Sequence, residues 1–260
     1  MEFRPCIDIH NGQVKQIVGG SLKDQGDFAK ENFVSQADAS YYAKLYAQKG
    51  CKGGHVILLN SKDSPMYEAT KRQAFLALET YPNGLQVGGG ITADNAGEFL
   101  QRGASHVIVT SYVFHEGKID WERLERLRET VGKEHIVLDL SCKKVGNTYR
   151  IVTDRWQNLT VVEVNVDTMK QLADYCDEFL IHAVDVEGKV NGIETDVVRM
   201  LSEYADKPVT YAGRVHSYED ILLLKKVGKG HVNVTVGSAM DLFGGKLSME
   251  QIMKMIAEED

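Results

Sequence analysis

The stretch Arg4-Pro5-Cys6-Ile7-Asp8-Ile9 is an apolar, strand-like run with a carboxylate in its second half. An ionised aspartate inside an apolar strand is costly unless something pairs with it or uses it. Asp8 therefore either ends a strand and faces a cavity, or caps the turn that follows. Further apolar runs recur along the chain at His55–Leu59, Leu85–Val87, His106–Thr110, Ile136–Leu140, Phe179–Ala183, Val209–Ala212 and Val232–Val236. Helix-period segments follow them at Ala37–Lys49, Met66–Glu79, Ala93–Gln101, Trp121–Thr130, Val166–Cys176, Thr195–Tyr204, Ser217–Lys226 and Ser248–Glu258. Eight strand–helix alternations without a linker-like interval predict a parallel sheet, and eight is the number that closes a (β/α)8 barrel. The chain of 260 residues is then a single α/β TIM barrel spanning residues 1–260, with its active site on the C-terminal face of the strands.

Local signals agree with this frame. Thr92, ahead of Ala93-Asp94, and Ser217, ahead of Tyr218-Glu219-Asp220, have the character of N-caps with acidic first turns. Gly103 and Gly228 stand where helices stop. Two connections exceed simple turns: Gly19–Gln36, and Ser141–Gln157 with a hairpin signal at Gly146-Asn147. Both follow strands that carry an aspartate, so both are expected over the same face, as substrate lids or as variation in loop length.

The net charge of -7 argues against a nucleic-acid footprint, so an anionic ligand must be held by backbone N–H groups or a few placed cations. Four widely spaced cysteines, Cys6, Cys51, Cys142 and Cys176, form no C-x-x-C pair and read as reduced thiols. No apolar run has the length of a membrane span. A soluble cytoplasmic protein is expected, with no nucleic-acid or membrane partner.

The second half of the chain repeats the first. Ile7-Asp8-Ile9 matches Leu138-Asp139-Leu140, Gly89-Gly90-Ile91 matches Gly213-Arg214-Val215, and Val109-Thr110-Ser111 matches Val236-Gly237-Ser238, at offsets of 131, 124 and 127 residues. A barrel of two four-strand halves, divided near residues 134 and 135, requires near-constant offsets of this kind. Strands one and five each then offer a carboxylate. The strand ends at Gly89, Gly90, Thr110 and Ser111, and at Gly213, Arg214, Gly237 and Ser238, become two phosphate grips on opposite rims, because small residues let backbone N–H groups approach an anion.

Pro5-Cys6-Ile7-Asp8-Ile9-His10-Asn11-Gly12, Val87-Gly88-Gly89-Gly90-Ile91, Val137-Leu138-Asp139, His182-Ala183-Val184-Asp185-Val186-Glu187-Gly188, Thr210-Tyr211-Ala212-Gly213 and Val236–Gly245 together resemble the histidine-biosynthesis isomerases that act on phosphoribosylformimino-aminoimidazole carboxamide ribotide, in their eukaryotic-type form. The resemblance implies an Amadori rearrangement of a bisphosphorylated ribotide, aminoaldose to aminoketose, without metal or organic cofactor, in a monomer. It assigns Asp8 as general base at the ribose C2′ proton and Asp139 as general acid at the ring oxygen. One carboxyl must be protonated while the other is ionised, so their environments must separate the two pKa values. His182 stands where bacterial members carry a threonine, and either orients the sugar and assists protonation or is structural. Trp156 either stacks on the imidazole or anchors its loop, and Asp185 is assigned to the substrate. Arg214 replaces the family's usual glycine, which adds a cation for phosphate and a Cβ where backbone approach is needed. Two alternatives are the paralogous cyclase of the same pathway, which carries a lysine where this chain has Gln16, and a barrel that binds a sugar phosphate without chemistry.

Overall fold

The structure is a computed structural model that describes residues 1–18, 21–22, 27–184, 192–204 and 206–258. Eight parallel strands form the wall: β1 (Cys6–His10), β2 (Gly54–Leu58), β3 (Leu85–Gly88), β4 (His106–Val109), β5 (Ile136–Asp139), β6 (Glu178–His182), β7 (Val209–Ala212) and β8 (Val232–Thr235). Each pairs in parallel with its neighbour. The sheet closes where Phe3 bridges Val234 in parallel and Arg4 N–H donates to the Val234 carbonyl at 2.8 Å. Helices follow the strands in turn: α1 (Ala39–Gln48), α2 (Tyr67–Thr80), α3 (Ala96–Gln101), α4 (Trp121–Val131), α5 (Val166–Leu172), α6 (Thr195–Ser202), α7 (Tyr218–Val227) and α8 (Met249–Ala257). The fold is the (β/α)8 barrel that the alternation predicts.

The outward face of the strands is apolar because the helices cover it. Ile7, Ile9, Val56 and Val87 are fully or almost fully buried against the helices. Ile57, Ile108, Val137, Leu180 and Ala212 meet inside the barrel as its apolar plug. Beneath them lies a polar floor, where Glu178 accepts from Arg4 Nη1 at 2.6 Å, Gln86 Nε2 at 3.1 Å and Thr210 Oγ1 at 2.8 Å. Three donors around one buried carboxylate satisfy a charge that would otherwise be prohibitive there. Polar chemistry on the other side of the plug is thus held toward the C-terminal mouth.

Helix entries follow their caps. The Ser217 hydroxyl accepts from Asp220 N–H while Asp220 accepts from Ser217 N–H, a complete capping box. The expected cap at Thr92 is corrected: α3 begins at Ala96, and Asn95 turns back to accept from Thr92 N–H at 2.8 Å. The described parts of the two long connections, and the segment that leads into the first, contain strands. Gln13–Ile17 and Glu31–Val34 form an antiparallel hairpin that extends β1, with Lys15 opposite Val34 and Gln16 opposite Phe33. Cys142–Val145, Thr148–Thr153 and Asn158–Glu163 form a three-stranded antiparallel sheet, its first turn at Gly146-Asn147 as its sequence predicts.

Candidate active site

Asp8 lies in β1 between Ile7 and Ile9, whose side chains are fully buried on the helix side, so alternation turns its carboxylate inward. Its partner is a side chain from the β1 extension: Gln16 Nε2 donates to Asp8 Oδ2 at 3.1 Å. That contact, rather than a capped backbone N–H, is what Asp8 accepts among the described residues. Burial pushes the Asp8 carboxyl up to about 7, with the Gln16 hydrogen bond opposing the shift.

Asp139 ends β5, the strand opposite β1 in the eight-membered ring. It accepts from Ser141 Oγ at 2.7 Å, Ser141 N–H at 2.8 Å and Thr110 Oγ1 at 3.0 Å. Burial raises its pKa, while these three bonds stabilise the carboxylate and oppose the rise. The two carboxyls are therefore in different environments, one with a single amide donor and the other with three. In the unliganded protein, Asp8 is the less supported anion.

His182 closes β6, and burial pushes its imidazole down to about 4. Its ring meets the Trp156 indole at a centroid distance of 4.5 Å. Trp156 is placed by an uncommon turn: Asp154, Arg155 and Trp156 have φ of 51°, 57° and 67°, three consecutive non-glycine residues in the left-handed region. Such backbone carries strain and needs outside support. Ser111 Oγ accepts from Asp154 N–H at 2.9 Å, Asn158 Nδ2 donates to the Asp154 carboxylate at 2.7 Å, and Lys143 Nζ donates to the Trp156 carbonyl at 2.9 Å.

The small-residue strand ends lie as the repeat predicts, on β3 and β4 on one side of the ring and on β7 and β8 on the other. Gly89 has φ +101°, and a Cβ there would stand 2.1 Å from the Leu58 carbonyl, so only glycine fits. Gly90 has φ +70° and open space, with Lys62 as its nearest neighbour at 3.7 Å from an added Cβ. Gly213 has φ +138° and Arg214 φ 41°, so the arginine adopts a backbone that glycine would hold more easily. An added Cβ at Gly237 would meet Gln16 Oε1 at 2.8 Å, and Ser238 follows directly. Thr110 also donates to Asp139, and Ser111 also accepts from the Trp156 turn. Asp185 lies outside the described residues.

Several mouth residues lack a sequence signal strong enough to single them out. Gln16 comes to Asp8 only through hairpin pairing, and Lys62 comes to Gly90 only through the packing of successive β–α turns. Ser141 was the most accessible, because a hydroxyl two residues after a strand-end aspartate can fold back on it. Lys15 points away from the mouth and pairs with Glu31 at 2.6 Å.

A (β/α)8 barrel with a carboxylate on each of two opposite strands defines the class. Comparison with known proteins is specific within that class: residues 2–248 match the model of the histidine biosynthesis protein family, and the chain belongs to that family. Relatives named 1-(5-phosphoribosyl)-5-((5-phosphoribosylamino)methylideneamino)imidazole-4-carboxamide isomerase include one from Medicago truncatula, described as chloroplastic, 50% identical over 97% of this chain and 81% of its own length. That from Saccharomyces cerevisiae is 47% identical over 95% of this chain and 94% of its own length. That from Yarrowia lipolytica is 46% identical over 94% and 93% respectively.

Proposed function

We propose that the chain isomerises the bisphosphorylated ribotide that its relatives are named for, converting an aminoaldose to an aminoketose. The observation that carries the reading is the pair Asp8 and Asp139 on opposite strands with unequal hydrogen bonding. Asp139 gives its proton to the ribose ring oxygen as the C1′–O bond breaks. Asp8 takes the C2′ proton, and the resulting enolamine gains a proton at C1′ as its 2′-hydroxyl loses one, which gives the ketone. The free protein supports the ionised form of Asp139 better than that of Asp8, so substrate binding must redistribute the proton. A dianionic phosphate favours protonation of a nearby carboxyl, so the redistribution requires the phosphate nearer Asp139 to act on it more strongly than the other acts on Asp8.

In this reading Gly89, Gly90, Thr110 and Ser111 serve one phosphate, and Gly213, Arg214, Gly237 and Ser238 the other. Trp156 covers the imidazole, His182 orients the sugar, and Asp185 contacts the substrate. A neutral His182 at physiological pH suits a hydrogen-bonding role better than proton donation. Gln16 beside Asp8 favours the isomerase over the cyclase, whose pattern has a lysine there. We place the protein as a cytoplasmic monomer without nucleic-acid or membrane partners; no helix among the described residues is long and apolar enough to cross a membrane. The test is turnover of the aminoaldose ribotide by the purified protein, with ammonia-dependent ring closure assayed in parallel. Isomerisation alone supports the reading, and robust ring closure overturns it.

A further inference from the structure

Cys6, Asp8 and His55 are brought together below the mouth by strand register. Cys6 and His55 are Cα partners across the β1–β2 ladder, and Asp8 is the next inward residue on β1. One donor atom from each, Sγ, a carboxylate oxygen and a ring nitrogen, lies within 4.8 Å of the others. Cys6 and His55 are buried, at 3% and 7% exposure. The gap between the two acidic groups is bridged by the positive end of an amide dipole, because Gln16 Nε2 reaches Asp8 at 3.1 Å and the Cys6 sulfur at 3.8 Å.

We propose that Cys6, Asp8 and His55 form a zinc-binding site that overlaps the carboxylate assigned to proton abstraction, so that zinc binding switches the protein off. Thiolate, imidazole and carboxylate are the donors that borderline-soft, tetrahedral zinc selects, and three protein ligands leave a fourth position open. Zinc bond lengths of about 2.0–2.3 Å place tetrahedral donors roughly 3.5 Å apart, so the three groups must draw together by about an ångström. The site requires rotation about their side-chain torsions to supply that movement. Gln16 must swing aside or turn over, and turning over presents Oε1 as a neutral fourth ligand. One thiolate and one carboxylate balance the charge of the divalent ion, which makes burial of the complex affordable. Binding releases the Cys6 thiol proton, and the Asp8 proton where that carboxyl is protonated, to solvent and forms the metal–sulfur bond without change of oxidation state.

That zinc binding stops turnover rests on the role of Asp8 proposed above; the binding itself does not. The test is titration of the purified protein with cobalt(II), then with zinc. A thiolate-to-cobalt charge-transfer band saturating at one equivalent, displaced by zinc and lost in Cys6→Ala, is the expected result. Among the described residues this is the one such donor cluster, so the other three cysteines should contribute no band. Asp8→Asn should weaken cobalt binding at least tenfold, and a normal circular dichroism spectrum for each variant keeps the comparison sound. In turnover assays zinc should inhibit in step with occupancy, a chelator should restore activity, and Cys6→Ala should stay active while resisting zinc at least tenfold. Absence of the band, or a band unchanged in Cys6→Ala, overturns the site. A Cys6-dependent band with unaffected turnover upholds the site and overturns Asp8 as the base.

Discussion

The Gln16 amide donates to Asp8 at 3.1 Å while the adjacent Lys15 turns away to Glu31 at 2.6 Å. Strand alternation forces this choice, since successive side chains face opposite sides. A neutral donor beside Asp8 leaves burial as the dominant influence, which is why its carboxyl is pushed up to about 7. A cation in the same place would cancel that effect.

Gln16→Lys tests this relationship. The ammonium should lower the Asp8 pKa by roughly 1–3 units. The ascending limb of kcat/KM, expected near pH 7 in the parent protein because the base must be ionised, should move below about pH 6. Maximal turnover should fall, because a weaker base abstracts the C2′ proton more slowly. A pH–rate profile checks both, and an unmoved limb assigns it to another group. A parent profile that falls through pH 7 would instead make Asp8 the acid.

Asp8→Asn and Asp139→Asn should each lower kcat by roughly 10²–10⁴, with much smaller effects on substrate affinity. Near-normal turnover in either variant removes that residue from the chemistry.

The same burial makes Asp8 a stability liability when ionised. Its folded pKa lies above its ordinary value of 3.8, so the native state binds the proton more tightly than the unfolded chain between about pH 4 and 7. Ionisation at higher pH therefore costs stability. Asp8→Asn should be more stable than the parent at pH 8 by about 1–3 kcal/mol, discounted from ~4 kcal/mol for a three-unit shift because Asp8 is partly exposed. The advantage should fade as pH falls from 7 to 4, as read by urea midpoints. A constant difference across that range would show that the shift does not exist.

Trp156→Ala should loosen the mouth rather than the barrel. Removing the indole opens the His182 ring to water, so its pKa, held near 4 by burial, should rise toward 6.5 in an NMR titration. KM should rise about tenfold, consistent with loss of an aromatic contact worth roughly 0.5–1.5 kcal/mol. An unchanged His182 titration would place the indole elsewhere in solution.

The barrel floor predicts a different signature. Glu178→Ala leaves the buried Arg4 guanidinium with the exposed Glu2 carboxylate at 3.1 Å and should cost about 3–5 kcal/mol, measured by denaturant unfolding. Arg4→Met combined with Glu178→Leu should recover most of that loss, because the buried charge is removed as well. If the double variant is as unstable as the single, packing rather than charge sets the penalty.

The amino-acid sequence by itself determined the eight-fold strand–helix alternation and pointed to an aspartate on strands one and five. The alternation is legible because side-chain periodicity is a local property of each strand and helix. Thr92 shows the limit of such reading: the helix starts only at Ala96, and Asn95 instead folds back to accept from the Thr92 N–H. Only the tertiary structure decided which side chains reach each aspartate. Gln16 meets Asp8 through hairpin register, Thr110 meets Asp139 across neighbouring strands, and His55 meets Cys6 across a ladder 49 residues apart in sequence. The unequal support of the two carboxyls follows from those contacts, because hydrogen bonding and burial depend on the neighbours that closure of the barrel brings together.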